Sequence, residues 1–297
     1  MKTRKNKLER IEATKFYLYI SPWLLGFLIF TLYPIVYSFL LIFTNADLTG
    51  NGKFIGINNI IKVFSKDPLF LKALENTLYY SFVFVPLSLI FAFLIALLLN
   101  QKLKGISIFR TSFYIPYITS GVAVTMLWGW LFNPDVGLIN YILSVFGVKG
   151  PNWLNDERWA MPAIIIMSLW SIGNTIIITL AGLQDIPTQL YESAELDGAN
   201  RFTITTRITI PLITPTLFFN LIIGIIGAFQ IFTQPYVLTQ GGPNYATYTY
   251  VLHLYNYAFK YNEIGYASTL AWILFIIIMI LTLIVNYTSK YWVYYEN

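Results

Sequence analysis

Residues Asn76–Asn100 read NTLYYSFVFVPLSLIFAFLIALLLN, a run without a single Asp, Glu, Lys or Arg. A helix that crosses a bilayer needs about 20 predominantly apolar residues, and this run exceeds that. Working outward, five further segments are equally free of charge and equally long: Phe16–Phe43, Thr111–Pro134, Trp159–Gln184, Ile208–Leu238 and Ile264–Ser289. Ile208–Leu238 belongs to an uncharged stretch that continues to Phe259. Gln240-Gly241-Gly242-Pro243-Asn244 divides it, because Gly-Gly-Pro-Asn is strong turn chemistry.

The composition agrees. Of the 297 residues, 57% are hydrophobic and 11% charged, against about 25% charged in soluble domains. In lipid, every backbone polar group must be satisfied within the protein, so only helices or closed barrels span. Continuous apolar runs, as opposed to short alternating ones, exclude the barrel. The expected fold is an all-α, polytopic membrane protein with six transmembrane helices. Residues 1–15 form a basic tail, 16–289 the membrane domain and 290–297 a second tail.

Lys and Arg set the orientation. With the N-terminus inside, the inner segments hold Lys2, Arg4, Lys5, Lys7, Arg10, Lys15, Lys102, Lys104, Arg110, Arg201, Arg207 and Lys290, most of the chain's 19 basic residues. Both termini are then cytoplasmic, and the high pI reflects topology. A nucleic-acid partner is not expected, since the basic residues are scattered over loops and form no stripe. The first run is too long for a signal-peptide core and lacks a clear cleavage site, so it is expected to remain as the first helix. The chain has no cysteine, which excludes thiol catalysis and Cys-metal sites.

The inner loop, residues 185–211, is the most informative polar segment. Glu192, Glu195 and Asp197 stand close together between two apolar runs. Pro187 suits a first helical turn behind Asp185, so 187–197 reads as a short helix. Gly198 is placed to end it in a left-handed cap. Asn200 can cap a second short helix, which is expected to end near Pro211. Glu192, Glu195 and Leu196 share one face of the first helix, with Leu190 and Ala194 on the other. One side can pack on the bundle while the acidic side is offered to a partner.

Glu192-Ser193-Ala194, Asp197-Gly198-Ala199 and Ile208-Thr209-Ile210-Pro211 together resemble the EAA loop of ABC-importer permeases. Gly182-Leu183-Gln184-Asp185-Ile186-Pro187 and Leu190-Tyr191 resemble the approach to that loop in the sugar-importer branch. So do Phe109-Arg110-Thr111, Ile115-Pro116-Tyr117, Thr239-Gln240-Gly241-Gly242-Pro243 with Thr247, and Gly265-Tyr266-Ala267-Ser268. The likeness spans nearly the whole chain and is greatest to the maltose, lactose and glycerol-phosphate importer type. Ser193 replaces the usual Ala, and Thr205 stands where an aromatic is common.

This resemblance implies a type I importer permease fold and a subunit that pairs with a second, homologous permease. It also implies two cytoplasmic ATPase subunits and an extracytoplasmic solute-binding protein, with this chain itself in the plasma or inner membrane. ATP and Mg would bind the ATPase partner and no cofactor this chain. Glu192, Ser193, Ala194, Asp197, Gly198, Ala199 and Pro211 would form the ATPase-coupling loop.

A route for the solute is sought in the polar residues inside the runs. The fourth carries Ser168, Ser171, Thr175 and Thr179 with Ile172 on one arc, and the fifth carries Gln230, Thr233 and Gln234. Hydroxyls and amides both donate and accept, which suits a sugar, and Trp170 and Phe232 offer stacking faces. In the second run, Thr77, Ser81 and Ser88 are read instead as contacts between helices. The family's sugar contacts fall in the regions of Ser171, Ile172 and Thr175 and of Gln230–Gln234. No carboxylate, Lys or Arg lies within a run, whereas ion-coupled carriers usually need one. That argues against the alternative of a standalone secondary transporter or channel.

No phosphate-binding loop is present, and Gly52-Lys53 lacks the leading glycine. His253 is the only histidine, so it is read as a packing or surface residue. Asp156-Glu157 is read as a solvated pair. With no catalytic constellation, the chain is not expected to be an enzyme.

Overall fold

The computed structural model describes residues 2–101 and 103–294, with side chains from Glu12 onward. Lys102, counted above among the inner charges, and the last three residues of the second tail lie outside the described residues. The described chain is helical apart from loops and one isolated bridge between Thr44 and Phe54. It divides into two compact units, one of residues 1–67 and 256–272, the other of 68–255 and 273–297.

In the first unit, α1 (Lys2–Phe27) passes through a π turn at Leu28–Leu32 into α2 (Tyr33–Leu41). The Tyr33 N–H reaches back five residues to the Leu28 carbonyl, just ahead of Pro34. A proline has no N–H and crowds the carbonyl four residues back; the wider turn accommodates both effects. Nearly every side chain from Glu12 to Leu41 is exposed, as lipid-facing or partner-facing helices require. After the loop comes α3 (Asn58–Ser65). The Asn59 amide donates to the carbonyls of Ile42 and Thr44, both at 2.8 Å. Lys62 pairs with Glu263 and lies over the Tyr266 ring at 4.2 Å, while the Tyr266 hydroxyl donates to Asp67 at 2.5 Å. The Gly265-Tyr266 motif therefore serves to lock this unit.

The second unit is built on α4 (Phe70–Leu99), whose last carbonyl accepts from the Arg110 guanidinium at 2.9 Å. A cation there complements the helix C-terminus. The expected third span is two helices, α5 (Ile106–Ile118) and α6 (Gly121–Leu131), parted by extended backbone at Thr119-Ser120. Pro116 removes a bond in the last turn of α5, and Gly121 is a poor continuation. Next come α7 (Leu138–Val145), then α8 (Glu157–Trp170) and α9 (Gly173–Gln184), bent by 47° at Ser171-Ile172. Asp156 is more than a solvated charge: its carboxylate caps α8 by accepting from the Arg158 N–H at 2.9 Å.

The inner loop gives α10 (Thr188–Leu196) and α11 (Arg201–Ile204), the latter running through a π turn at Thr205–Thr209 into α12 (Ile210–Phe229). The second short helix thus does not end at Pro211. The Ile210 N–H bonds to Thr205, five residues back, the same accommodation found before Pro34. The unit continues with α13 (Thr233–Leu238), α14 (Tyr250–Tyr255) and the greater part of α15 (Ile264–Ser289), which begins in the first unit.

The motif Thr239–Pro243 with Thr247 closes on itself. The two threonine hydroxyls meet at 2.6 Å, and Thr247 also donates to the Gly242 carbonyl at 2.7 Å. His253 is a packing residue, buried with its ring against the Tyr248 hydroxyl.

Four helical stretches are long and apolar enough to cross a bilayer: Glu12–Leu41, Phe70–Leu99, Arg201–Leu238 and Ile264–Ser289. The bent pair α8–α9 makes a fifth. The α5–α6 segment does not qualify as one helix, so among the described residues length and composition give four candidate spans, or five with the bent pair counted as one, against the six expected.

Candidate coupling loop and translocation path

At the end of α10, Gly198 takes φ +77°. Its N–H bonds to the Glu195 carbonyl at 3.0 Å, and the Ala199 N–H bonds to Ala194 at 2.9 Å. This paired pattern is the left-handed helix stop that favours glycine. Ala194 and Ala199, both half-buried, occupy the positions whose contact accompanies such a stop. Two residues on, the Asn200 side chain accepts from the Thr203 N–H at 2.8 Å and starts α11. The expected caps are both present.

The packing face of α10 differs from the expected one. Leu190 is exposed, and Tyr191 instead packs against the core cluster that contains Leu183, Ile186 and Ile213. Its hydroxyl lies 3.3 Å from that of Thr209, a buried residue of the π turn. Glu192, Ser193, Glu195 and Asp197 are exposed, with Ala194 and Ala199 half-buried. Glu192 makes no hydrogen bond or ion pair with any described residue. Leu196, at 90% exposure, and Phe202, at 77%, add apolar points to the same short connection. Phe202 is missing from the sequence reading; its signal was one aromatic side chain within a polar connector.

The residues expected along the solute route fall at two interruptions of helix. Ser171 is the half-buried C-cap of α8, where its N–H bonds back three residues to Ser168 at 3.1 Å. Ile172, 6% exposed, packs into the core with Ile176 and Leu180. Gly173 opens α9 at a point where a Cβ would meet the Phe113 carbonyl and, at 3.0 Å, the Tyr114 Cα; only glycine lets α5 come this close. Thr175 is half-buried on α9. The second interruption is Gln230–Phe232. The Gln230 N–H bonds back three residues to Gly227, and the Ile231 carbonyl accepts from the Thr249 hydroxyl at 3.2 Å. Gln230 is exposed, while Thr233 and Gln234, in the first turn of α13, are half-buried.

Leu169 and Phe84 pack against both the cluster holding Ile172 and the cluster holding Ile231. Irregular backbone at membrane depth is tolerated only where protein buries it or where it lines a wet cavity. Phe232 lies in an aromatic trio, its ring 5.0 Å from Tyr236 and 4.9 Å from Tyr255. Tyr255 stands far along the chain, out of reach of local pattern. Thr179 and Ser168 are helix contacts: Thr179 accepts from the Asn220 amide at 3.1 Å, and Ser168 donates to the Ile164 carbonyl.

Comparison with known proteins fits this architecture. Residues 70–292 match the family of binding-protein-dependent transport system inner membrane components. The chain belongs to that family, a multi-pass membrane component of a transport system and not its catalytic subunit. It is 40% identical to the probable ABC transporter permease protein YesP of Bacillus subtilis (strain 168), over 99% of this chain and 96% of that one. It is 37% identical to the arabinooligosaccharides transport system permease protein AraP of the same organism, over 90% and 86%. With the lactose transport system permease protein LacF of Rhizobium radiobacter it shares 33% over 97% and 98%. A solved bacterial ABC transporter involved in the import of the acidic polysaccharide alginate superposes with TM-score 0.83 at 25% identity, covering 96% of this chain and 98% of that one.

Proposed function

We propose that this chain is the membrane-spanning permease subunit of an ATP-binding-cassette importer for a sugar or oligosaccharide. It spans six times with both termini cytoplasmic, the broken pair α5–α6 being one crossing. With a second, homologous permease it forms the translocation path, and an extracytoplasmic solute-binding protein delivers the solute. Two ATPase subunits, which bind the ATP and Mg, engage the loop 185–211.

The observation that carries this reading is α10: a short helix stopped by Gly198, held to the bundle by Tyr191 and presenting unpaired Glu192 outward. Nothing within the spans supplies an energy source, so motion must enter from a partner, and a rigid helix fixed at one side can transmit it. Ligands shift conformations only through differential contacts with the two states. The ATPase would provide these through Glu192, Ser193, Glu195 and Asp197. The breaks at Ser171-Ile172 and Gln230–Phe232 are the proposed sugar-handling points, with Thr175, Thr233 and Gln234 as polar contacts and the Phe232–Tyr236–Tyr255 trio as a stacking wall.

The test is uptake of labelled oligosaccharide by cells expressing the chain with its neighbouring ATPase and binding protein. Uptake that collapses on ATP depletion while the ion gradient is held supports the reading. Uptake that persists without the ATPase assigns the chain to standalone carriers.

A further inference from the structure

The segment between α6 and α8 lines an open pocket of about 560 Å³. Asn140 organises it: its amide donates to the Pro134 carbonyl at 3.1 Å and the Pro151 carbonyl at 3.2 Å, while its oxygen accepts from the Trp153 indole at 2.7 Å. The loop is therefore a built structure. Asp135 and Lys149 both line the cavity and both are exposed. The side chains of both lack a hydrogen bond or ion pair with any described residue.

The surroundings are apolar. On α7, Ile139 and Leu143 pack toward Phe132 and Trp153, yet Tyr141 and Val145 on the other side are exposed, as is Phe146 just past the helix. On α6, Val122, Met126 and Trp130 are exposed at four-residue spacing, and Trp130 ends that stripe as a wall of the cavity. An exposed apolar stripe thus leads along α6 to a pocket rimmed by Trp130, Tyr141, one acid and one base. Trp and Tyr favour this level of the bilayer.

We infer that this cavity is a headgroup site for a zwitterionic phospholipid of the ethanolamine type in the outer leaflet. Lys149 meets the phosphate and Asp135 accepts from the primary ammonium. The Val122–Met126–Trp130 stripe carries an acyl chain. A choline headgroup has no N–H to give Asp135, so it binds less well. The site rests on the six-span topology proposed above, which puts this loop outside.

The test is native mass spectrometry of the full chain, with whatever subunits copurify, after addition of phosphatidylethanolamine, phosphatidylcholine or phosphatidylglycerol. Wild type retains phosphatidylethanolamine in preference to both others. Asp135→Asn with Lys149→Gln lowers that retention by roughly fivefold, as loss of exposed charge pairs does, and Lys149→Arg preserves it. Equal retention of all three lipids by wild type overturns the site without need of any variant. So does loss of solute-binding-protein capture in the double variant with lipid retention unchanged, which would assign the patch to a protein.

Topology is read separately. In this cysteine-free chain, Ser144→Cys is labelled by an impermeant maleimide from outside. Labelling only from the cytoplasmic side overturns the topology and the site together. Outside labelling without a lipid preference overturns the site alone.

Discussion

Tyr191 and Thr209 meet hydroxyl to hydroxyl at 3.3 Å, joining the short inner helix α10 to the π turn beneath Pro211. Thr209 is buried, and Tyr191 packs on the cluster that reaches α4, α9 and α12. A push on α10 therefore reaches the start of α12 through a defined contact. Tyr191→Phe keeps the ring and removes the bond. It should cost about 1 kcal/mol of stability and lower the solute moved per ATP hydrolysed, while leaving solute affinity unchanged. A thermal-shift assay beside a transport-to-hydrolysis ratio checks both.

At the breaks, Ser171→Ala, Thr175→Ala and Gln230→Ala each remove one neutral hydrogen-bonding group. Each should weaken apparent solute affinity by about two- to tenfold, with basal ATP hydrolysis little altered. Tyr236→Ala, which strips an edge from the aromatic trio, should act in the same direction. Uptake measured across solute concentrations separates an affinity change from a loss of maximal rate.

Asn220→Ala removes the amide that bonds Thr179 across α12 and α9 inside the bundle. Interhelical polar bonds in membranes are worth about 0.6 kcal/mol on average, and the packing loss adds to that. The melting temperature in detergent should fall, and Asn220→Gln should recover little, because its longer amide overshoots a fully packed site.

Much of this was legible in the sequence, and the failures share a cause. Charge-free runs locate helices, and Gly198 and Asn200 mark caps through local chemistry. The breaks at Thr119-Ser120, Ser171-Ile172 and Gln230–Phe232 fall inside uniformly apolar runs, where hydropathy carries no signal for backbone geometry. The helices through Pro34 and Pro211 continue because a π turn precedes each proline, a choice no composition reveals. Tyr191, not Leu190, is the packing residue because its ring meets the core cluster and its hydroxyl meets Thr209, tertiary contacts that helical period alone does not reveal.

In the loop between α2 and α3, the Asp47 carboxyl accepts from the Thr49 hydroxyl at 2.6 Å and from the Thr49 and Asn51 N–H groups at 2.9 and 3.1 Å. The Thr49 hydroxyl chiefly, with the backbone bonds, holds its pKa below the ordinary 3.8. A lowered carboxyl pKa adds order that is present above 3.8 and lost as pH falls through the lower folded value. Hydrogen exchange at the Thr49 and Asn51 amides should stay slow through pH 4 and quicken only below 3.8. Asp47→Asn should remove that pH dependence.

The central claim is that α10 couples this chain to an ATPase, and Gly198 tests it most directly. Its φ of +77° disfavours residues other than glycine, although Asn and Asp tolerate that region better than most, so the two variants share the backbone cost and differ by the charge that Asp adds to an already acidic face. The measurement is solute-stimulated ATP hydrolysis by the purified complex in proteoliposomes carrying Gly198→Asp or Gly198→Asn. The account predicts that Gly198→Asp abolishes the stimulation or releases the ATPase, while Gly198→Asn retains a substantial part. Full stimulation and transport with Gly198→Asp would contradict it.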